Sequence, residues 1–269
     1  MAKFDGKQIV GLIGGLVFKK GRNNTTIVQP KPASMAQTTA TKGAANLFGI
    51  ASTLSKTIRY GMTEITDQFY DGGMVNRLTN QNRSILAHCY DKDTRKFVFN
   101  ETSFSRLAGF EFNFKSPVTN SLWVQPQTTL SGNDLTVYVP AFEIPVQLKF
   151  PNLANTCTIN ISVNLYVLDQ SLKRVLPLQS IEIGKNQTHV PAQEFKFEVP
   201  DGCLCVAGIN LQYFYLYNGI KTVLNKKDFN PAAICGAILS PGIFVPPVQT
   251  DPYRAVAKWR IMDGLEIPY

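Results

Sequence analysis

The segment Cys157-Thr-Ile-Asn-Ile-Ser-Val-Asn-Leu165 alternates apolar and polar residues along its whole length. Successive side chains of a β-strand point to opposite faces, so the pattern predicts a strand with one apolar and one polar face. The same alternation occurs in residues 110–114, 135–139 and 195–199. Such strands are typical of antiparallel sheets that cover a core on one side.

Turn-forming clusters separate these segments. Asn218-Gly219 lies between the runs 211–217 and 220–224, and Asn-Gly is a strong signal for a two-residue hairpin turn. Similar clusters are Ser131-Gly-Asn-Asp134, Gly184-Lys-Asn186 and Pro200-Asp-Gly202. Short strands with regular turns predict an antiparallel β-sandwich or barrel-like body over residues 93–269.

Residues 31–92 have a helical pattern instead. Apolar residues recur there at spacings of three and four, which gives one stripe along a helix: Ala44, Ala45, Leu47, Phe48, Ile50, Ala51, Leu54 and Ile58. A second short helix is expected around residues 65–69 and a third from residue 74 to 86, because Gly61 and Gly72-Gly73 interrupt the pattern. The sequence thus predicts about three short helices before the β body.

Residues 1–30 form a basic, glycine-rich arm. We expect a hairpin, with residues 8–18 as one strand, 25–29 as the other and Gly21-Arg-Asn-Asn24 as the turn. Glycine inside an apolar strand lets another backbone approach closely. The candidate assembly residues are therefore Gly11, Leu12, Ile13, Gly14, Gly15, Leu16, Val17 and Phe18, and pairing within the same chain is the open alternative.

The net charge of +8 is concentrated near the N-terminus. Residues 1–60 hold nine basic residues against Asp5 alone, whereas the other 209 residues hold 18 basic and 18 acidic groups. A basic segment favours contact with phosphate or an acidic surface, and a solvated basic face is the alternative. The candidate contact residues are Lys19, Lys20, Arg22 and Lys31.

Catalytic and metal-binding groups are scarce. The two histidines, His88 and His189, belong to no recognisable triad, although a Cys89 nucleophile assisted by His189 stays an alternative. Cys203 and Cys205 form a lone C-x-C pair, which supplies too few ligands for zinc and places both sulfurs on one strand face. We expect reduced thiols, no enzymatic activity, no catalytic residue, no metal and no cofactor.

The N-terminus has no apolar run of the secretory type, because glycines interrupt residues 9–18 and Lys19-Lys20 follow directly. No stretch reaches the roughly 18 apolar residues that a membrane helix needs. We therefore expect no membrane span and a cytoplasmic location by default, with signal-independent export as an alternative.

Several short motifs occur in a characteristic order: Gly14-Gly-Leu-Val-Phe18, residues 37–52, Lys56-Thr-Ile-Arg59, Met74-Val-Asn-Arg-Leu78 and residues 107–113. In these motifs the first half of the chain resembles a family of uncharacterised proteins found mainly in Bacteroidota. That family has no established enzymatic activity, so the resemblance carries no catalytic residues over to this chain.

Together these observations predict a non-catalytic structural protein that assembles with copies of itself, into an oligomer or filament, through its N-terminal strand segment. One alternative is a nucleic-acid-associated virion or packaging protein that uses the basic arm nonspecifically. Another is a carbohydrate-binding β-sandwich. Its candidate aromatic residues are Trp123, Trp259, Tyr213, Tyr215 and Tyr217.

Overall fold

The computed structural model describes residues 2–21, 25–31, 38–246, 259–262, 264, 265, 267 and 269. The chain is mainly β, with 40% of its residues in strands and 20% in helices, which confirms the predicted fold class. It divides into two compact units, residues 1–44 and 45–269.

The first unit contains an antiparallel sheet of four strands in chain order: β1 (Lys3–Phe4), β2 (Ile9–Ile13), β3 (Leu16–Lys20) and β4 (Thr26–Pro30). The prediction of one strand over residues 8–18 was wrong. Gly14 and Gly15 form the turn between β2 and β3, and Gly14 adopts a φ of 55°, a left-handed conformation that glycine reaches without strain. The second predicted hairpin is present as β3 and β4, whereas residues 22–24 of its turn lie outside the described residues.

The helix α1 (Thr39–Gly61) begins in the first unit and ends in the second. Two further helices follow, α2 (Thr63–Thr66) and α3 (Met74–Cys89), so the predicted number of helices is confirmed. The apolar stripe of α1 is fully buried at Ala51, Leu54 and Ile58, but Phe48 remains 48% exposed. The first turns of α1 therefore do not pack as the sequence pattern predicts.

The strands of the second unit are β5 (Phe110–Glu111), β6 (Gln127–Ser131), β7 (Asp134–Val139), β8 (Phe142–Glu143), β9 (Thr156–Val167), β10 (Leu172–Val175), β11 (Gln179–Gly184), β12 (His189–Val190), β13 (Gln193–Glu198), β14 (Leu204–Tyr217), β15 (Ile220–Val223), β16 (Ala232–Leu239) and β17 (Arg260–Ile261). Short 3₁₀ helices span Ser105–Leu107 and Val118–Asn120. The predicted strand over 110–114 is shorter than expected, since only β5 forms there.

The large sheet has eight strands, all antiparallel to their neighbours. Its main order is β17-β10-β9-β14-β16-β5, with β11 beside the first half of β9 and β15 beside the end of β14. A three-stranded sheet has the order β13-β7-β6, and β12 pairs with β8. The long strands β9 and β14 thus form the centre of the second unit.

Each face of the large sheet covers a separate core. On one face, Ile159, Ile161 and Val163 of β9 pack in a cluster with Val137 of β7 and Phe195 of β13, which gives the sandwich. On the other face, side chains of β14 and β16 pack with the three helices, and this cluster includes Leu204, Val206, Ile234, Leu54, Ile58, Ile65, Leu78 and Leu86. The second unit is therefore built in three layers: small sheet, large sheet and helices.

The polar face of β9 is buried, contrary to the predicted one-sided sheet. Asn160, Ser162 and Asn164 are at most 6% exposed because they lie on the helix-facing side. Hydrogen bonds satisfy some of the polar groups on this face. The Asn160 side-chain amide donates to the Asn210 side chain at 3.2 Å, and the Asn210 amide donates to the carbonyl of Pro231 at 3.1 Å. Buried amides without such partners would destabilise the packing by roughly 1–3 kcal/mol each.

Candidate assembly interface

Cross-strand register defines the two faces of the N-terminal sheet. Ile13 lies opposite Leu16, which lies opposite Pro30, and the next row on the same face joins Phe18 to Val28. Residues directly opposite each other in an antiparallel pair share a face, as do residues two apart. One face of the sheet is therefore almost continuously apolar.

This apolar face is exposed. Phe4, Ile9, Ile13, Leu16 and Val28 are between 40% and 69% exposed. The opposite face also carries exposed apolar side chains. No side chain of the four strands is buried among the residues that the structure describes. The sheet consequently has apolar surface on both faces and no core formed by its own strands.

Two backbone hydrogen bonds show which groups of β4 point toward β3. The Lys31 N–H donates to the Gly15 carbonyl at 2.6 Å, and the Gly21 N–H donates to the Thr25 carbonyl at 2.7 Å. Successive residues of a strand direct their backbone groups to opposite sides. The odd-numbered residues of β4 therefore bond to β3, and the even-numbered residues point away from it.

The outer edge of β4 is open, since β3 is its only partner strand in the described part of the chain. Thr26 and Val28 direct both N–H and C=O outward, whereas Pro30 offers a carbonyl and no N–H. The strand Thr26–Pro30 carries no charge. A long, uncharged edge rich in β-branched residues is a typical site for pairing with another chain.

The opposite edge of the sheet is less available. The two residues of β1, Lys3 and Phe4, already cover the start of β2. Alternation directs the backbone groups of Gly11 and Ile13 toward β3, so within residues 11–13 only Leu12 presents both groups outward. A short edge strand with a lysine is a common protection against further pairing.

The sequence-predicted assembly residues thus have most of their backbone groups paired within the sheet. The open edge of β4 was not among the predicted sites. Its sequence signal is the uncharged run Thr25-Thr-Ile-Val-Gln29, which combines high β-propensity with an absence of protecting charge.

The predicted basic residues do not form one free cluster. Lys19 and Lys20 are exposed on β3, and Lys31 is exposed after β4, while Arg22 lies outside the described residues. Lys20 forms an ion pair with Asp5. Part of the positive charge at this sheet is therefore compensated within it.

Asp5 is fixed by several hydrogen bonds in the turn between β1 and β2. The Lys20 ammonium and the backbone N–H groups of Gln8 and Lys7 donate to its carboxylate, with the Gln8 bond at 2.9 Å. These interactions lower the pKa of Asp5 to about 2. The compensating negative charge is therefore present at neutral pH.

The groups considered for catalysis lie apart. Cys89 is buried in the helix-side core, whereas His189 is exposed on β12, opposite Glu143, and its neighbour Val190 packs in the sandwich core. The large sheet separates these two cores, so the structure does not bring Cys89 and His189 together. No cluster of three metal-binding side chains occurs among the described residues.

Cys203, just before β14, and Cys205, within β14, are both buried in the sandwich core, so their side chains lie on the same side of the large sheet. Burial raises the pKa of the Cys203 thiol to about 12, so the reactive thiolate is disfavoured. Both residues have a packing role in this core.

The tyrosine row of β14 does not form one surface. Tyr213 is buried and donates its hydroxyl to the Lys149 carbonyl at 2.8 Å. Tyr215 and Tyr217 are exposed, with nearly parallel rings whose centres lie 6.2 Å apart. Trp123 is half exposed, and the Lys149 ammonium lies 4.3 Å from the centre of its ring. The candidate carbohydrate surface is thus limited to two adjacent tyrosine rings and separate tryptophans.

No protein-family model, curated protein or solved structure matches this chain. The resemblance to the family found mainly in Bacteroidota therefore stays a prediction. Among the described helices, none combines the length and apolar character required to cross a membrane.

Proposed function

We propose that this protein is a structural subunit that assembles with copies of itself through the N-terminal sheet, β1 to β4. The observation that carries the proposal is the exposed apolar surface on both faces of that sheet, with no described side chain of its strands buried. Contiguous exposed apolar surface is typical of protein interaction sites. Association would remove it from water with a favourable free energy of roughly 25 cal/mol per Å².

A second copy is the partner that the chemistry favours. The strands place one charged side chain on this apolar face, Lys20, and it is paired with Asp5, so two such faces meet with little repulsion. The Asp5–Lys20 ion pair also reduces the net positive charge of each sheet. A polyanion would instead contact lysines such as Lys19, which is exposed on the opposite face of the sheet, away from the apolar row.

To test the proposal, glutamine replaces two apolar side chains at the centre of this apolar face. Ile13→Gln with Leu16→Gln should leave the fold intact, because both side chains are already exposed, and should weaken assembly at least tenfold. Val98→Gln with Leu153→Gln is the matched control, since these residues are 66% and 72% exposed in the second unit. Light scattering and negative-stain microscopy at micromolar concentration measure assembly.

A wild-type protein that stays monomeric over this concentration range would overturn the proposal. Equal loss of assembly in the control pair would also contradict it. Nucleic-acid binding that weakens steeply with salt, and disappears when Lys19, Lys20, Arg22 and Lys31 are replaced by Gln, would favour the nucleic-acid alternative if no assembly is seen.

A further inference from the structure

We infer that two copies join through β4, paired antiparallel in a register centred on Ile27, to give a two-fold dimer with a continuous eight-stranded sheet. This inference rests on the proposed assembly function and specifies its joint. It follows from three properties of β4: the direction of its backbone groups, the position of its proline and its lack of charge.

The backbone groups determine the register. Thr26 and Val28 point outward, so an antiparallel neighbour must place its own outward residues opposite them. With Ile27 at the two-fold axis, Thr26 of each copy faces Val28 of the other. Each Thr26–Val28 pair exchanges two N–H to C=O hydrogen bonds, and the two pairs leave none of these groups unsatisfied.

Proline disfavours the neighbouring register. If the axis passed through Val28, Thr26 would face Pro30 of the other copy. Pro30 has no N–H, so the Thr26 carbonyl would lose its donor in both halves of the dimer. An unsatisfied backbone group at a strand interface is unfavourable. The Ile27-centred register keeps Pro30 outside both Thr26–Val28 pairs.

Charge distinguishes the two edges of the sheet. Pairing two copies through their β1 edges would bring Lys3 near its own counterpart, and like charges across strands are destabilising. The β4 edge has no charged residue between Thr26 and Pro30. At the centre of the β4 dimer, the Ile27 side chains of the two copies lie opposite each other on the same face.

The two-fold symmetry limits the number of copies that can join through β4. A two-fold pairing uses the open edge of both copies, so strand addition at β4 ends with the dimer. It also places the two apolar faces that contain Leu16 and Val28 on the same side of the joined sheet. Larger assemblies would then form from dimers through that enlarged face.

Disulfide trapping tests the register. In the Ile27-centred dimer, residue 27 occupies a non-hydrogen-bonded pair, where opposing Cα atoms are about 4.5 Å apart and a disulfide can form. Two copies of residue 28 would be diagonal neighbours, at roughly 7–8 Å, which exceeds the usual range. Ile27→Cys should therefore form a covalent dimer under mild oxidation, and Val28→Cys should form at least tenfold less.

Native cysteines provide the background control. Cys89, Cys157, Cys203 and Cys205 are buried and Cys235 is half-buried, so wild-type protein should give little covalent dimer. Non-reducing electrophoresis and mass spectrometry of the linked peptide measure the product. Efficient trapping through residue 28, or no trapping through residue 27 in a protein that assembles, would overturn the inference.

A proline substitution tests the hydrogen bonds separately. Val28→Pro removes an outward N–H and leaves the donors toward β3 in place, whereas Val28→Thr keeps the N–H and the β-branched shape. We expect Val28→Pro to weaken dimerisation at least tenfold and Val28→Thr to retain it, as measured by analytical ultracentrifugation. Wild-type dimerisation in Val28→Pro would contradict the inference.

The two proposals fail in different ways. If wild-type protein is strictly monomeric, self-assembly itself is wrong. If wild-type protein assembles but Ile27→Cys is not trapped, self-assembly stands and the β4 joint is wrong.

Discussion

Glu111 is a carboxylic acid at a buried position of β5. Its Oε2 accepts a hydrogen bond from the Val118 N–H at 2.9 Å, at the start of a short 3₁₀ helix, but the residue is only 9% exposed. Burial raises the pKa of Glu111 to about 7, against the opposing effect of the backbone donors. The alternation of residues 110–114 predicts an outward Glu111, because the pattern does not reveal what covers that face.

The raised pKa makes stability depend on pH. The folded protein keeps a proton on Glu111 that the unfolded chain releases near pH 4.5. This contribution to the free energy of unfolding is fully present below about pH 4.5 and is lost as pH rises through about 7, by about 3 kcal/mol, since one pKa unit corresponds to about 1.4 kcal/mol. Glu111→Gln should flatten that part of the profile and be the more stable protein at pH 8.

Urea denaturation of wild type and Glu111→Gln from pH 4.5 to 8 measures the difference between their free energies of unfolding. Other titrating groups contribute equally to both proteins and cancel in this difference. The exposed Glu64→Gln variant is the control and should follow wild type. A Glu111→Gln profile parallel to that of wild type would show that the carboxyl does not titrate in this range.

At the scale of elements, glycine sets the distance between helices and large sheet. A methyl group added at Gly208 of β14 would lie 2.5 Å from Cδ1 of Ile65 and 2.8 Å from Sδ of Met62. Both of those side chains are buried in the helix-side core. The helices therefore approach the sheet closely only because position 208 has no side chain.

Gly208→Ala should lower the free energy of unfolding by about 1–3 kcal/mol, because Ile65 and Met62 must shift in a packed core. Gly49→Ala is the matched control in α1, where an added methyl meets no atom within 4 Å. That change should stabilise the helix by up to about 1 kcal/mol, since alanine has the higher helix propensity. Denaturant unfolding of the two variants should give shifts of opposite sign.

The sequence predicts these elements unequally. Asn218 and Gly219 both adopt positive φ, as a two-residue hairpin turn requires, and the hairpin of β14 and β15 is confirmed. The turn at Gly14-Gly15 was missed because glycine within an apolar run fits either a strand or a turn. The open edge of β4 depends on hydrogen-bond direction, which residue pattern alone does not specify.

For the whole molecule, the two cores of the second unit are formed by described residues from Leu47 onward. Deleting residues 1–29 should therefore leave a folded protein with an unchanged cooperative transition and no assembly. Circular dichroism during thermal unfolding reports the fold, and light scattering reports assembly. Global unfolding of the shortened protein would show that the N-terminal strands are needed for these cores.

The layered second unit has a consequence for protein synthesis. The three helices end at Cys89, but the strands that cover their apolar side, β14 and β16, extend to Leu239. At a translation rate of about 5–20 residues per second, the ribosome needs roughly 8–30 s to cover that interval. During this time the nascent helices lack their sheet partner, so we expect them to be bound by ribosome-associated chaperones until β14 and β16 emerge.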